Sequence, residues 1–156
     1  MRSFKASLSI IIIVPAFAVI VSCTPGSCFE ETDALVKAYF YLDETGESRS
    51  PDSLTIFGVG MDTSRIYNRS AKVQPALLPL NADAISCSFV IRLNGIDDTL
   101  QFRYLSYPHL VSIDCGYTFY HQMEDNLTYT NNIIDTVIIK NKSITTLDVE
   151  NIRIYY

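Results

Sequence analysis

Tryptophan is absent from this sequence, histidine occurs twice, and lysine and arginine together supply 12 of 156 residues. Without tryptophan the chain lacks the buried indole that marks antibody-type domains. The shortage of basic residues excludes a nucleic-acid surface. Most of that affinity comes from Lys and Arg neutralising phosphates, and here they form no cluster while Asp and Glu number 17. The same deficit argues against a basic patch on anionic lipid. No phosphate-binding glycine loop, G-x-S-x-G elbow, H-E-x-x-H helix or zinc-type cysteine pairing is present. Ser, His and Asp all occur, but in a chain this size their co-occurrence carries no information. The sequence therefore nominates no catalytic residue, no metal and no cofactor.

What the sequence does have is an uneven distribution of charge. All acidic residues follow position 22, and Arg2 and Lys5 are the only charged residues before it, so removing residues 1–22 takes the net charge from −5 to −7. MRSFK is a short positive segment and ASLSIIIIVPAFAVIVS an uncharged apolar one, the pattern of a secretory signal. A transmembrane helix wants about 20 apolar residues; this run is shorter, contains Pro15 and lacks a positive flank after it. Its last four residues, Ile20-Val21-Ser22-Cys23, resemble a bacterial lipobox. That motif implies a diacylglycerol on Cys23, cleavage before it, and acylation of the new N-terminus. Several acyl chains at about 0.8 kcal/mol per buried methylene make a stable anchor. Thr24 offers no aspartate that would retain the protein at an inner membrane, so the expected address is the outer membrane of the cell envelope. The expected organisation is a lipoprotein signal over 1–22, a tether over 23–33 and one folded domain over 34–156.

With Cys23 acylated, Cys28, Cys87 and Cys115 remain, an odd number for an oxidising compartment. One bridge and one free thiol is the simplest solution. Cys87 alternates with Ile85, Phe89, Ile91 and Leu93, which places it on a core-facing stripe. Cys115 alternates with Val111, Ile113, Tyr117 and Phe119. Cys28 heads the mature chain in a segment that needs tethering, which favours Cys28–Cys115; Cys87–Cys115 is the alternative. His109, Cys115 and His121 are evenly spaced, but on one continuous strand neighbours six apart stand roughly 20 Å from each other, too far to share an ion. Asp97-Asp98 and Glu30-Glu31 are the only tight carboxylate pairs, and both are expected to be solvated, the first in a hairpin loop and the second in the tether.

Strand signals recur every ten residues or so along the rest. They predict strands over 35–42, 54–59, 65–67, 85–93, 99–105, 111–120, 133–140, 144–149 and the terminal NIRIYY. NGIDD is expected as a five-residue hairpin loop, ALLPLN to end in a Pro-marked turn and HQMEDNLTYTNN as a loop or a short turn of helix. Seven to nine short strands without helical periodicity predict an all-β, antiparallel, immunoglobulin-like β-sandwich. Tyrosine is the one unusual abundance, at 10 residues. Tyr39 and Tyr41 share the face opposite Val36 and Phe40, and Tyr155 flanks the last strand. Exposed rigid aromatics of this kind stack on sugars or on partner proteins, or simply cover a second sheet face.

Cys23, Cys28, DSLTIFGVG, ALLPLN, LVSIDCGYTF and IDTVIIKN…NIRIYY together resemble a family of small lipoproteins of the Bacteroidetes, a domain of unknown function. The resemblance implies a cysteine soon after the lipidated one and another in a Cys-Gly pair, here Cys28 and Cys115-Gly116, and so strengthens the Cys28–Cys115 pairing. It implies no catalytic residue. It also implies O-glycosylation where Asp precedes Ser or Thr and an aliphatic residue, which nominates Ser53, Thr99 and Thr136. Two function classes follow. One is a lipid-anchored, non-enzymatic binding or structural module with envelope proteins or glycans as partners; the other is a small envelope hydrolase acting on glycan or peptide. A pocket joining His109 or His121 to a carboxylate would favour the hydrolase, and a flat aromatic surface the binding module.

Overall fold

Val36, Ala38 and Phe40 are fully buried and alternate with half-buried Lys37, Tyr39 and Tyr41, so one strand carries a core face and an aromatic outer face. A computed structural model describes residues 28–156; the signal over 1–22 and Cys23 lie outside the described residues. The chain divides into two compact units, Met1–Glu30 and Glu31–Tyr156, and the second holds all the strands found among the described residues. They are β1 Val36–Tyr41, β2 Leu54–Gly58, β3 Arg65–Ser70, β4 Ala76–Leu78, β5 Ser86–Leu93, β6 Ile96–Ser112, β7 Gly116–Tyr129, β8 Thr136–Ile139, β9 Ser143–Ile144 and β10 Ile152–Tyr155.

The strands form a four-stranded sheet, β4-β1-β10-β8, and a six-stranded sheet, β3-β2-β5-β6-β7-β9. The architecture is the all-β, sandwich-like one that the strand spacing predicted. Between the sheets lie Val36, Phe40, Leu78, Ile152 and Ile154 from the first and Leu54, Ile56, Ile91, Leu93, Leu100, Phe102 and Tyr104 from the second. Two features depart from the expectation. Among the described residues ten strands replace seven to nine, and β1 pairs parallel with β10, with Tyr39 opposite Arg153 and Tyr41 opposite Tyr155. The two ends of the folded unit thus meet at the centre of one sheet. Asn151 fixes that meeting: its Oδ1 accepts from Lys37 N (2.9 Å), and its Nδ2 donates to the carbonyls of Asn141 and Ser143.

The largest correction concerns β6 and β7. The loop expected over NGIDD is a two-residue turn, Asn94-Gly95, with Leu93 paired to Ile96. Both turn residues have positive φ (51° and 95°), the requirement of a primed hairpin turn that Asn-Gly meets at low cost. The stretch expected as one strand over 111–120 is instead the end of a second hairpin. Ser112 pairs with Gly116, whose φ of 73° closes a turn over Ile113, Asp114 and Cys115. The loop expected from 121 is mostly strand, because β7 continues to Tyr129. ALLPLN begins as β4 and leaves the strand at Pro79, ahead of a turn at 82–83.

Candidate functional site: an aromatic sheet face

Parallel pairing of β1 with β10 aligns two outward rows, Tyr39–Arg153–Ile138 and Tyr41–Tyr155–Thr136, across three strands. The Tyr41 and Tyr155 rings lie 5.5 Å apart, tilted by 32°. The Arg153 guanidinium sits 4.2 Å over the Tyr41 ring, a cation–π contact. Arg153 also forms a bidentate pair with Glu150, Nε to Oε1 at 3.0 Å and Nη2 to Oε2 at 2.8 Å. The hydrogen bond from Arg153 holds the Glu150 carboxyl below its ordinary pKa, and the same bond pushes the guanidinium up, so both stay ionised. Burial and nearby Asp148 and Glu150 raise Tyr39, and burial and Glu150 raise Tyr41. Their phenols therefore remain hydrogen-bond donors at neutral pH. The face offers flat aromatic area, a fixed cation and hydroxyl groups, the equipment for stacking on a ring and bonding its substituents. Tyr39, Tyr41 and Tyr155 were all expected outward. Arg153 carries no sequence signal of its place in this cluster, because parallel pairing between β1 and β10 leaves no local pattern.

The other nominated residues are scattered. Cys28 and Cys115 are both disulfide-bonded, whereas Cys87 is a half-buried free thiol against the core. Cys115 lies in the 113–115 turn rather than on the alternating strand expected for it. Because 109–121 is a hairpin and not one strand, His109 pairs with Thr118 and His121 with Ser106, on opposite hairpin faces. Among the described residues, no group of three or more His, Cys, Asp or Glu could hold a metal ion. Ser53 is half-buried beside exposed Asp52. Thr99 is half-buried within β6 and follows buried Asp98. Thr136 is exposed, follows exposed Asp135, and starts β8 at the edge of its sheet.

The expectation that Asp97 and Asp98 are solvated loop residues is overturned for Asp98. Both lie in β6, Asp97 exposed and ion-paired with Arg92, Asp98 only 2% exposed. The Asp98 carboxylate accepts from Thr130 Oγ1 (2.5 Å) and from the backbone N–H groups of Asn132, Ile133 and Ile134 (2.7–3.1 Å). Burial alone would raise its pKa, but the Thr130 hydroxyl and the three N–H groups outweigh that and hold it below the usual carboxylate value. It latches the segment between β7 and β8, which carries the chain from one sheet to the other. Spacing gave no sign of this, because the donors lie more than thirty residues away.

Two cavities matter to the choice between function classes. One of about 620 Å³ is lined by Leu42, Asp43, Glu44, Arg49, Ile133, Asp135 and Tyr156. Another of about 250 Å³ brings His121 and Asp33 into one lining, with Thr118, Phe119 and Leu80. His121 Nδ1 lies 2.9 Å from Ser106 Oγ, its ring meets Tyr104 edge-on at 5.5 Å, and burial lowers its pKa, leaving it neutral. That Ser–His contact is between directly opposite residues of β6 and β7, an ordinary cross-strand pair, and Ser106 does not line the cavity.

A family model described as a family of unknown function (DUF6452) matches residues 53–156. No curated protein and no solved structure matches the chain.

Proposed function

We infer, for a chain that belongs to this family of unknown function, that it is a lipid-anchored envelope protein acting as a non-enzymatic binding module. The anchor is Cys23, following the signal over 1–22, and the outer membrane is its destination. The binding surface is the outer face of the four-stranded sheet, and its partner is an envelope protein or glycan. The observation that carries this reading is the cluster of Tyr41, Arg153 and Tyr155 on that outer face, with Arg153 over the Tyr41 ring and the Tyr155 ring beside it. Bidentate pairing with Glu150 keeps Arg153 over Tyr41, so this face is ordered before any partner arrives. Cross-linking in native envelopes, with recovery of the lipidated protein, tests it. Paired Tyr41→Ala and Tyr155→Ala changes should abolish the captured partner while leaving the fold intact, and unchanged capture would remove this face from consideration. Cys23→Ala should release the protein from membranes, as should blocking the lipoprotein signal peptidase; attachment that survives both disproves the anchor.

A second reading, a small hydrolase acting on glycan or peptide, draws on Ser106 and neutral His121 beside the cavity that holds Asp33. Its test is labelling by a fluorophosphonate, which must occur on the wild type and vanish in Ser106→Ala.

A further inference from the structure

The distal half of the β6–β7 hairpin has an unusual surface for an acidic protein. From Tyr104 to Met123 only Asp114 carries a formal charge, against 19% charged residues in the whole chain. Its large apolar side chains are exposed on both faces and at the end. Leu105 and Tyr107 lie on one face, Leu110 and Phe119 on the other, Tyr117 is opposite Leu110, and Ile113 stands in the turn at 95% exposure. A protein partner docking on a sheet covers one face. A hairpin that is apolar on both faces and at its tip is suited to entering a medium that surrounds it. Tyrosine, with an apolar ring and a wet hydroxyl, is a residue type enriched where lipid meets water.

The position of the anchor says which medium. Thr118 Oγ1 on this hairpin donates to Thr32 O at 2.6 Å, so the leading segment of the folded unit runs beside the hairpin's outer half. Thr32 lies nine positions after Cys23, a reach of at most about 32 Å when fully extended. The bridge expected between the half-cystines Cys28 and Cys115 would shorten it to five residues, about 18 Å. By contrast, the Asn94-Gly95 end of the same strand lies about 50 Å from the tip at about 3.3 Å per residue.

We propose that the tip of the β6–β7 hairpin lies in the headgroup layer of the membrane that carries the lipid anchor, with Ile113, Leu110 and Tyr117 entering first. The proposal rests on the reading of Cys23 as the anchored residue. A headgroup layer some 6 Å deep takes about two residues of each upright strand, so Tyr107 and Phe119 follow only as the hairpin tilts. Asp114, exposed in the turn, keeps its carboxylate at headgroup level and limits the depth. The tip thereby fixes the orientation of the domain on its tether.

The absence of tryptophan makes the test direct. Full-length lipidated Ile113→Trp protein, and separately Tyr117→Trp, is reconstituted in phosphatidylcholine vesicles with and without brominated acyl chains. Ile96→Trp, at the opposite end of β6 and also exposed, serves as control. Vesicle flotation is read on the same samples. The expected result is flotation of all three, with emission at 113 and 117 moved to shorter wavelength and quenched by brominated lipid, as befits indoles at a membrane interface, while position 96 is unaffected. Flotation with no quenching at 113 or 117 overturns the tip contact and leaves the anchor standing. Failure to float removes the anchor and the tip contact with it. If Tyr117→Trp floats unquenched and Ile113→Asp abolishes a cross-link to an envelope protein, the tip serves a protein partner and the proposal is wrong.

Discussion

Replacing Asp98 by Asn should cost the domain more than any change at its neighbour Asp97. Four donors converge on the Asp98 carboxylate, with Ile133 N and Ile134 N on Oδ2, Thr130 Oγ1 on Oδ1, and Asn132 N shared between both. An amide has one acceptor oxygen with two lone pairs and turns an N–H₂ toward the others. About two donors lose their partner, and each buried or half-buried one costs about 1–3 kcal/mol. Because only Ile134 N is fully enclosed, the lower part of that range applies, about 2–4 kcal/mol in sum. For a folded unit of this size, 1 kcal/mol moves the melting temperature by about 3 °C, so Asp98→Asn should melt roughly 10 °C below the wild type at pH 7. Asp97→Asn removes only an exposed ion pair with Arg92, worth at most about 1 kcal/mol.

The pH dependence separates this from a general packing defect. Asp98 has a folded pKa below its unfolded one, so its contribution is complete above the unfolded value near 3.8 and is lost as pH falls through the folded value. The gap between wild type and Asp98→Asn should be full from pH 7 to about pH 5 and close toward pH 2. Circular dichroism melts across that range measure it. A gap under about 2 °C at pH 7, or one constant with pH, would show that the carboxylate is not the latch described.

Cys87 should resist alkylation, since burial pushes its thiol up to about 12; iodoacetamide at pH 8 should leave it unmodified in the native protein and label it fully in denaturant. Non-reducing peptide maps should recover Cys28 and Cys115 in one linked peptide, and loss of that bridge should lower stability by about 4 kcal/mol in the chain-entropy account of a loop near 90 residues. Where glycan is attached in the native host, mass spectrometry should find it at Thr136, exposed on an edge strand, and not at Thr99, whose preceding Asp98 is enclosed. A chain beginning at residue 53 should fail to fold, because it lacks the buried Val36 and Phe40, together worth about 4–5 kcal/mol of burial; a cooperative melt from that fragment would contradict the assignment of β1 to the core.

Local alternation made most strands legible: the stripes in β1, β5 and β10 face the core as their periodicity required. The errors came where tertiary pairing decides. Asn94-Gly95 is a strong local hairpin signal, but the acidic residues after it suggested a longer loop; Asp98 can enter a strand because distant donors satisfy its charge. Residues 111–120 alternate well enough to read as one strand, yet a three-residue turn closed by Gly116 divides them. Pro108 did not end β6, although it cannot donate to the ladder. The aromatic residues of the candidate face were visible singly, but their assembly was not, because Tyr41 and Tyr155 lie more than a hundred positions apart.

That assembly also separates the boundary of the family match from the boundary of the fold. The match begins at residue 53 and so includes Arg153 and Tyr155 but not Tyr39 or Tyr41. In the sheet, β1 lies between β4 and β10; without it both would expose an unpaired edge, and the inner layer would lose Val36, Ala38 and Phe40. This chain therefore needs a strand in the β1 position, which the family match does not reach. The inner residues of that strand need only be apolar and fit the available volume, whereas its outer residues touch solvent. Lys37 stands apart, because its backbone is already committed to Asn151 on both sides of the peptide.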